Sequence, residues 1–176
     1  VQYTPGISYP INEDYDQEPK FEYYDQDKDQ FEQAIRAARY VDVVVLCLGE
    51  NSYTEKPGDL NDLSLHPLQL EFAERIIQSG TPVVLVLNEG RPRLISSIAN
   101  KVTGIIQTYL PGNHGGDALA DILSGTVNPS GKLPYSYPLY QNALTNYNYT
   151  PSQIQDNAQG AYNYVGEVKN LFDFGF

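Results

Sequence analysis

Short apolar blocks and longer amphipathic stretches take turns along the central part of the chain. Three apolar blocks, at 41–48, 83–87 and 103–109, are rich in Val, Ile and Leu. Such short runs are typical of strands that are buried on both faces. Helices are predicted where apolar residues recur every three or four positions, beginning at 29, 67, 92 and 118. Because strands and helices alternate, the pattern predicts an α/β fold in which the three strands are neighbours.

The predicted architecture is a three-layer α/β/α sandwich with a mostly parallel, flavodoxin-like sheet. After residue 124 the periodicity changes. A C-terminal edge strand is predicted over 132–137, and a long irregular loop rich in Tyr and Asn over 139–170. Residues 1–28 have the composition of an extended leading segment and an acidic linker, so the domain itself is predicted to span 29–176. Since the chain starts with Val1 and contains no Met, we expect it to be a piece of a longer polypeptide.

Composition and charge narrow the range of partners. The formal net charge is -11, from 22 acidic and 11 basic residues. Nucleic acids and anionic membrane surfaces are bound through clustered Lys and Arg, so neither is predicted as a partner. No apolar run approaches the ~20 residues that cross a bilayer. The two histidines, His66 and His114, lack metal-ligand spacing, and the glycines lack a phosphate-binding pattern, so no metal or other cofactor is predicted.

The segment that follows the first predicted strand is the strongest candidate for chemistry. It carries four carboxylates, namely Glu50, Glu55, Asp59 and Asp62. In α/β domains ligands bind at the loops that follow the carboxyl ends of the strands. Carboxylates in such a loop are suited to general acid/base catalysis. The residues themselves leave a second interpretation open, in which this is an acidic, solvated surface loop.

The acidic loop and several later segments together resemble glycoside hydrolase family 3. The loop reads LGENSYTEKPGDLNDL at 48–63 and is similar to the acid/base loop of that family. Three further segments follow in the family's order: TPVVLVLNEGRP at 81–92, YLPGNHGGDALADIL at 109–123 and GTVNPSGKLPYSYP at 125–138. The final LFDFGF at 171–176 is similar to the segment that ends the family's C-terminal domain. Several motifs in one order make the resemblance specific.

The resemblance implies the C-terminal α/β-sandwich domain of a β-glucosidase-like enzyme that acts on β-linked oligosaccharides or glucosides. In such enzymes an upstream barrel domain of the same polypeptide supplies an Asp nucleophile, and the sandwich loop supplies the acid/base. The Tyr-Thr-Glu position of the motif falls on Glu55, which is therefore the expected acid/base. Glu50 is the second choice, because a carboxylate directly after a strand more often anchors the loop by accepting backbone N–H groups. Without the barrel, the chain alone is expected to be an inactive part of a glycoside hydrolase. The resemblance also implies a periplasmic or extracellular location.

Four further residues are candidates for substrate binding or for support of the acid/base: Tyr53, Asp59, Arg91 and His114. Tyr53 has the chemistry to stack on a sugar ring or to pack under the loop. Asp59 follows a glycine, a turn pairing that usually fixes the shape of a loop. Arg91 is expected to pair with Glu50 or Glu89.

Two alternatives to a β-glucosidase remain open at the level of sequence. A β-xylosidase would use the same pair of domains. A non-catalytic α/β module that binds sugar or protein would use this domain without turnover. A catalytic barrel in the parent polypeptide would favour the enzyme.

Overall fold

The computed structural model describes residues 1–7, 25–50, 59–143, 153–156 and 165–176. Within them the chain forms two compact units. The first contains residues 1–93 and 97–111, and the second contains residues 94–96 and 112–176. None of the helices in these ranges is long and apolar enough to cross a membrane.

A parallel sheet forms the centre of the first unit. Its strands are β1 (Val44–Gly49), β2 (Val83–Asn88) and β3 (Gly104–Gln107), in the order β1-β2-β3. Both pairings are parallel, with Leu46 opposite Leu85 in the first and Val86 opposite Ile106 in the second. The prediction that these three strands are neighbours in a parallel sheet is therefore confirmed. The third strand is shorter than the predicted 103–109.

Two helices accompany this sheet in the first unit. They are α1 (Asp25–Ala38), which begins before the predicted residue 29, and α2 (Pro67–Ile77). In β1 the buried Leu46 and Leu48 are separated by the exposed Cys47, as expected when one face of a sheet packs on helices. In β2 the consecutive residues 85–87 are all buried, as expected for a central strand of a parallel sheet. The buried apolar side chains of the two helices and two strands are Phe31, Ala34, Ile35, Ala38, Leu46, Leu48, Phe72, Ala73, Ile76, Val83, Leu85, Val86 and Leu87. Burial of this apolar surface is the main favourable term in folding.

The start of α2 fixes the far end of the acidic loop. Pro67 occupies the first turn, where a missing backbone N–H costs nothing. The residue before it, His66, is the N-cap, and its Nδ1 accepts a hydrogen bond from the N–H of Leu68 at 3.2 Å. The loop that leaves β1 therefore ends at a helix that is capped by a side chain.

The helix predicted to open at Pro92 does not form. Residues 96–98 make a turn that leads into a short 3₁₀ helix, Ala99–Lys101. Ile95 and Ile98 have the spacing of a helix face, yet both are fully buried in this irregular segment. Apolar residues three apart can be buried by a turn as well as by a helix, so their spacing alone did not distinguish the two.

Among the described residues of the second unit are one helix and two small antiparallel ladders. The helix is α3 (Gly115–Leu123), close to the predicted 118–123. At the predicted edge strand, β4 (Tyr137–Pro138) pairs with β7 (Asn170–Phe172) in a two-stranded ladder separate from the parallel sheet. The segment predicted as a long irregular loop, 139–170, contains β5 (Gln153–Asp156) and β6 (Val165–Val168), which pair antiparallel. Wholly irregular structure was therefore the wrong prediction for that segment.

Candidate active site at the carboxyl end of the sheet

The end of β1 lies unusually close to β2. Gly49 has a φ of +147°, and a Cβ atom at this position would lie 2.0 Å from the backbone oxygen of Asn88. Only glycine fits such an approach. The next N–H, that of Glu50, donates to the same Asn88 oxygen at 3.1 Å. The residue that opens the acidic loop is thus tied by its backbone to the neighbouring strand.

A glutamine of α2 holds the other side of the same glycine. The N–H of Gly49 donates to Oε1 of Gln69 at 2.9 Å, and Nε2 of Gln69 donates to the Gly49 oxygen at 2.8 Å. Gln69 is almost fully buried. Its amide therefore satisfies two backbone groups that would be costly to leave unpaired in the interior.

Glu50 is held by two arginines of the segment that follows β2. Nε of Arg91 donates to Oε1 of Glu50 at 3.1 Å, and Nη1 of Arg93 donates to Oε2 at 3.3 Å. The Glu50 side chain is only 7% exposed, and those of Arg91 and Arg93 are 29% and 13% exposed. Each carboxylate oxygen therefore has its own guanidinium partner in a site with little access to water.

Arg93 also contacts the far end of the acidic loop. Its Nη2 donates to the backbone oxygen of Ser64 at 2.7 Å. The backbone N–H of Arg93 donates to Oε1 of Glu89, whose side chain is fully buried at the end of β2. The arginine is thus held at its backbone while its guanidinium joins two parts of the loop.

Two further groups at this edge have shifted pKa values. The N–H of Ser64 donates to Oδ1 of Asp62 at 2.7 Å. This hydrogen bond, helped by the Ser64 hydroxyl and the charge of Arg93, lowers the pKa of the exposed Asp62 carboxyl. Partial burial lowers the pKa of His66, which favours the neutral ring that accepts the Leu68 hydrogen bond. Both shifts favour the protonation state in which the loop end is hydrogen-bonded.

The structure brings together two of the residues predicted for the site. Glu50 and Arg91 form the expected ion pair. A backbone N–H was the expected donor to Glu50, whereas its carboxylate accepts from two guanidinium groups. The neighbouring Glu89 is the carboxylate that accepts a backbone N–H, that of Arg93.

The other predicted residues are placed as follows. Asp59 is exposed at the start of the described part of the loop. His114 belongs to the second unit, where it precedes α3; its side chain is 95% exposed and its Nδ1 lies 3.8 Å from Oδ2 of Asp117. Tyr53 and Glu55 lie in 51–58, outside the described residues.

Sequence reasoning missed Arg93 and Gln69, and it named Glu89 only as a possible partner of Arg91. A signal existed for the first, since Arg91 and Arg93 flank one proline directly after a strand. A signal also existed for Gln69, which is a polar residue on an otherwise apolar helix face between Leu68 and Phe72. A buried amide on such a face usually has a backbone partner to satisfy.

The fold and this cluster define a class of protein. It is an α/β domain that carries a carboxylate–guanidinium cluster and an acidic loop where parallel strands end, which is the usual place for a ligand site. The described residues include no group of three or more His, Cys, Asp or Glu side chains arranged to hold a metal ion.

The sequence of the chain matches a known family over nearly its whole length. The family is described as the glycosyl hydrolase family 3 C-terminal domain, and the match covers residues 2–176. The chain therefore belongs to this family, and the resemblance seen in its motifs is confirmed.

The most informative relatives are much longer proteins. A lysosomal β-glucosidase from Dictyostelium discoideum is 42% identical over 108 residues, which are 61% of this chain and 13% of that protein. A β-xylosidase from Formosa agariphila is 40% identical over 152 residues, which are 85% of this chain and 21% of that protein. A solved β-glucosidase from Listeria innocua, in complex with laminaribiose, superposes with a TM-score of 0.72 and 31% identity, and the match covers 88% of this chain and 22% of that one. The chain thus spans about a fifth or less of these relatives, and the predicted α/β fold is confirmed.

Proposed function

We propose that this chain supplies the general acid/base of a retaining β-glycosidase that removes terminal β-D-glucosyl residues from oligosaccharides or glucosides. Glu55 is the acid/base. A barrel domain upstream in the same polypeptide supplies the nucleophile and most of the sugar-binding subsites. The reaction needs no cofactor, because the two carboxyl groups carry out both proton transfer and covalent catalysis.

The contacts of Glu50 carry the choice between the two glutamates. A proton donor must reach the glycosidic oxygen at hydrogen-bond distance. Both oxygens of Glu50 already accept hydrogen bonds from Arg91 and Arg93, and its side chain is only 7% exposed. Substrate oxygen would have to displace a guanidinium to reach it. Glu55, five residues farther into the loop, is the remaining glutamate of the family motif.

The proposed mechanism uses two carboxyl groups, one as acid/base and one as nucleophile. In retaining glycosidases they lie ~5–5.5 Å apart, one on each side of the scissile bond. Glu55 protonates the leaving oxygen while the barrel nucleophile forms a covalent glycosyl-enzyme. Glu55 then removes a proton from the water that releases the sugar. Because Glu55 stands on this domain and the nucleophile on another, docking of the two domains assembles the site.

The proposal is tested by Glu55→Ala in the full-length enzyme. The substitution should slow hydrolysis of a glucoside with a poor leaving group by about 10²–10⁴-fold, since general acid catalysis contributes that much. A dinitrophenyl glucoside needs little protonation, so its first step should be spared. Azide should restore turnover and give a β-glycosyl azide, because azide attacks the glycosyl-enzyme without a general base.

Glu50→Ala is the matched control in the same loop. It should lower stability or substrate binding, and azide should not rescue it. If azide rescues Glu50→Ala and leaves Glu55→Ala unchanged, the two roles are reversed and Glu50 is the proton donor.

The excised chain should be inactive on aryl β-glucosides, because an acid/base without a positioned nucleophile cannot form the glycosyl-enzyme. Turnover by the purified chain above that of its Glu55→Ala variant would show that a nucleophile lies within these residues. That result would contradict the division of labour between two domains.

A β-xylosidase is the second candidate, and one observation favours it. The Formosa relative, whose alignment covers 85% of this chain at 40% identity, is named a β-xylosidase. Comparison of kcat/KM for a nitrophenyl β-glucoside and a nitrophenyl β-xyloside decides between them. A clear preference for the xyloside would replace the glucosyl assignment and leave the role of Glu55 intact.

We also propose a location outside the cytoplasm, either periplasmic or extracellular. The name of the Dictyostelium relative places that protein in the lysosome, which is also reached through secretion. Fractionation of the source cells, with activity measured in each fraction, tests this; activity confined to the cytoplasm would contradict it.

A further inference from the structure

One guanidinium joins the two ends of the acidic loop. Nη1 of Arg93 contacts the carboxylate of Glu50, which opens the loop, and Nη2 contacts the backbone oxygen of Ser64, which closes it. The segment between these contacts, 51–63, includes Glu55.

Arg93 is itself fixed by three contacts, namely those with Glu89, Glu50 and Ser64. Its backbone N–H is bound by the fully buried Glu89 at 3.2 Å, and its side chain is only 13% exposed. Its carboxylate partner, Glu50, is in turn tied to β2 through its own N–H. The guanidinium group is planar, and its N–H groups point in fixed directions. When it donates to two acceptors at once, it therefore restricts the distance between those two acceptors.

We propose that Arg93 is a positioning residue that sets the geometry of the loop carrying the acid/base Glu55. The inference rests on the proposed function. Arg93 acts through the loop and does not touch the substrate. A catalytic carboxyl group has to be held within a fraction of an ångström of its productive position, and a displacement of about 1 Å can cost about a hundredfold in rate. A fixed distance between Glu50 and Ser64 reduces the number of conformations open to the segment that joins them.

The test uses Arg93→Met in the full-length enzyme, assayed on aryl β-glucosides whose phenols differ in acidity. Methionine keeps the apolar stem and removes the fork. If the acid/base is misplaced, kcat/KM, which reports formation of the glycosyl-enzyme, should fall about ten- to a hundredfold for the least acidic phenol and less than about threefold for the most acidic one. In a Glu55→Ala background, the same substitution should have little further effect, because the group it positions is gone.

Arg75→Met is the matched control. Arg75 donates through a similar fork to Glu32, at 2.5 and 2.9 Å, between α1 and α2 and away from the loop. Its loss should leave the dependence on leaving-group acidity unchanged. If Arg93→Met does not fold, Arg93→Lys serves instead, because lysine keeps the charge but lacks the planar guanidinium group. This variant should show the same dependence on the acidity of the leaving phenol, with a smaller loss of rate.

The possible failures are distinguishable. A Glu55→Ala enzyme with wild-type activity overturns the proposed function, whatever Arg93 does. If Glu55→Ala is impaired and Arg93→Met lowers kcat/KM by the same factor for all phenols, only the positioning role is overturned. An Arg93 effect that persists undiminished in the Glu55→Ala background overturns it as well.

Discussion

Two arginine–carboxylate clusters in the first unit consist of the same chemical groups but differ in contact distance and in exposure to solvent. Arg75 and Glu32 join α1 to α2 through a fork at 2.5 and 2.9 Å, and their side chains are 36% and 44% exposed. Glu50 meets two arginines at longer distances, 3.1 and 3.3 Å, and its side chain is 7% exposed. The shorter contacts are thus in the more solvated place.

From this comparison we expect burial, more than distance, to determine how much each pair contributes to stability. The hydrogen bond from Arg75 lowers the pKa of Glu32, yet water screens this exposed pair and competes for both groups. At the end of the sheet water is largely excluded, so an unpaired charge would be costly. The first cluster reinforces a helix pair, whereas the second organises the residues around a candidate site.

The largest effect is expected from loss of the buried carboxylate. Glu50→Ala would remove the carboxylate that Arg91 and Arg93 both contact from a site with little access to water, and it should lower the free energy of unfolding by about 3–5 kcal/mol. Urea denaturation followed by circular dichroism measures this. A loss below about 1 kcal/mol would remove the contrast between the buried and the exposed cluster.

A smaller effect is expected from the helix cap at the end of the acidic loop. The pKa of His66 is lowered in the folded protein, so its stabilising contribution is full above the unfolded value of 6.5. The contribution should be lost as the pH falls through the folded pKa, because a protonated Nδ1 cannot accept the Leu68 N–H. Since His66 is partly exposed, the loss should stay below about 1 kcal/mol. Comparison of the urea midpoints of wild-type and His66→Asn protein between pH 7.5 and about 5 tests this: asparagine caps without titrating, so a wild-type slope unchanged in the variant would contradict the role of the cap.

The smallest effect is expected at the exposed pair. Glu32→Gln should shift the urea midpoint by no more than the error of the measurement, and the shift should shrink further in high salt because the pair is screened. If Glu32→Gln destabilised the protein as much as Glu50→Ala, the short hydrogen-bond distances of the Arg75–Glu32 pair would count for more than its exposure to solvent.

The sequence was sufficient to predict the sheet but only part of the site. Blocks such as 83–87 are apolar enough to predict a buried strand by themselves, and their order along the chain predicted parallel neighbours. A pairing of Arg91 with either Glu50 or Glu89 could also be anticipated, because all three residues follow strands that end at the same edge. These inferences need only local pattern and the geometry of parallel sheets.

The contacts of Arg93 could not be predicted in the same way. Its partner at Ser64 is a backbone oxygen, which every residue carries, so no residue type marks the contact. The helix expected at Pro92 failed for a related reason: the buried positions Ile95 and Ile98 have helical spacing but lie in a turn and the approach to a 3₁₀ helix. Where the backbone leaves regular structure, side-chain pattern no longer specifies what the backbone atoms contact.

The amide of Gln69 has a consequence for how the protein avoids unwanted association. In the described sheet β1 is an edge strand, and the N–H and C=O of Gly49 point away from β2. Gln69 pairs with both, as the peptide group of a further strand would. Exposed strand edges are templates on which a second chain can add and begin aggregation. A single side chain thus occupies the hydrogen-bonding groups that an added strand would need, at the place where the acidic loop leaves the sheet.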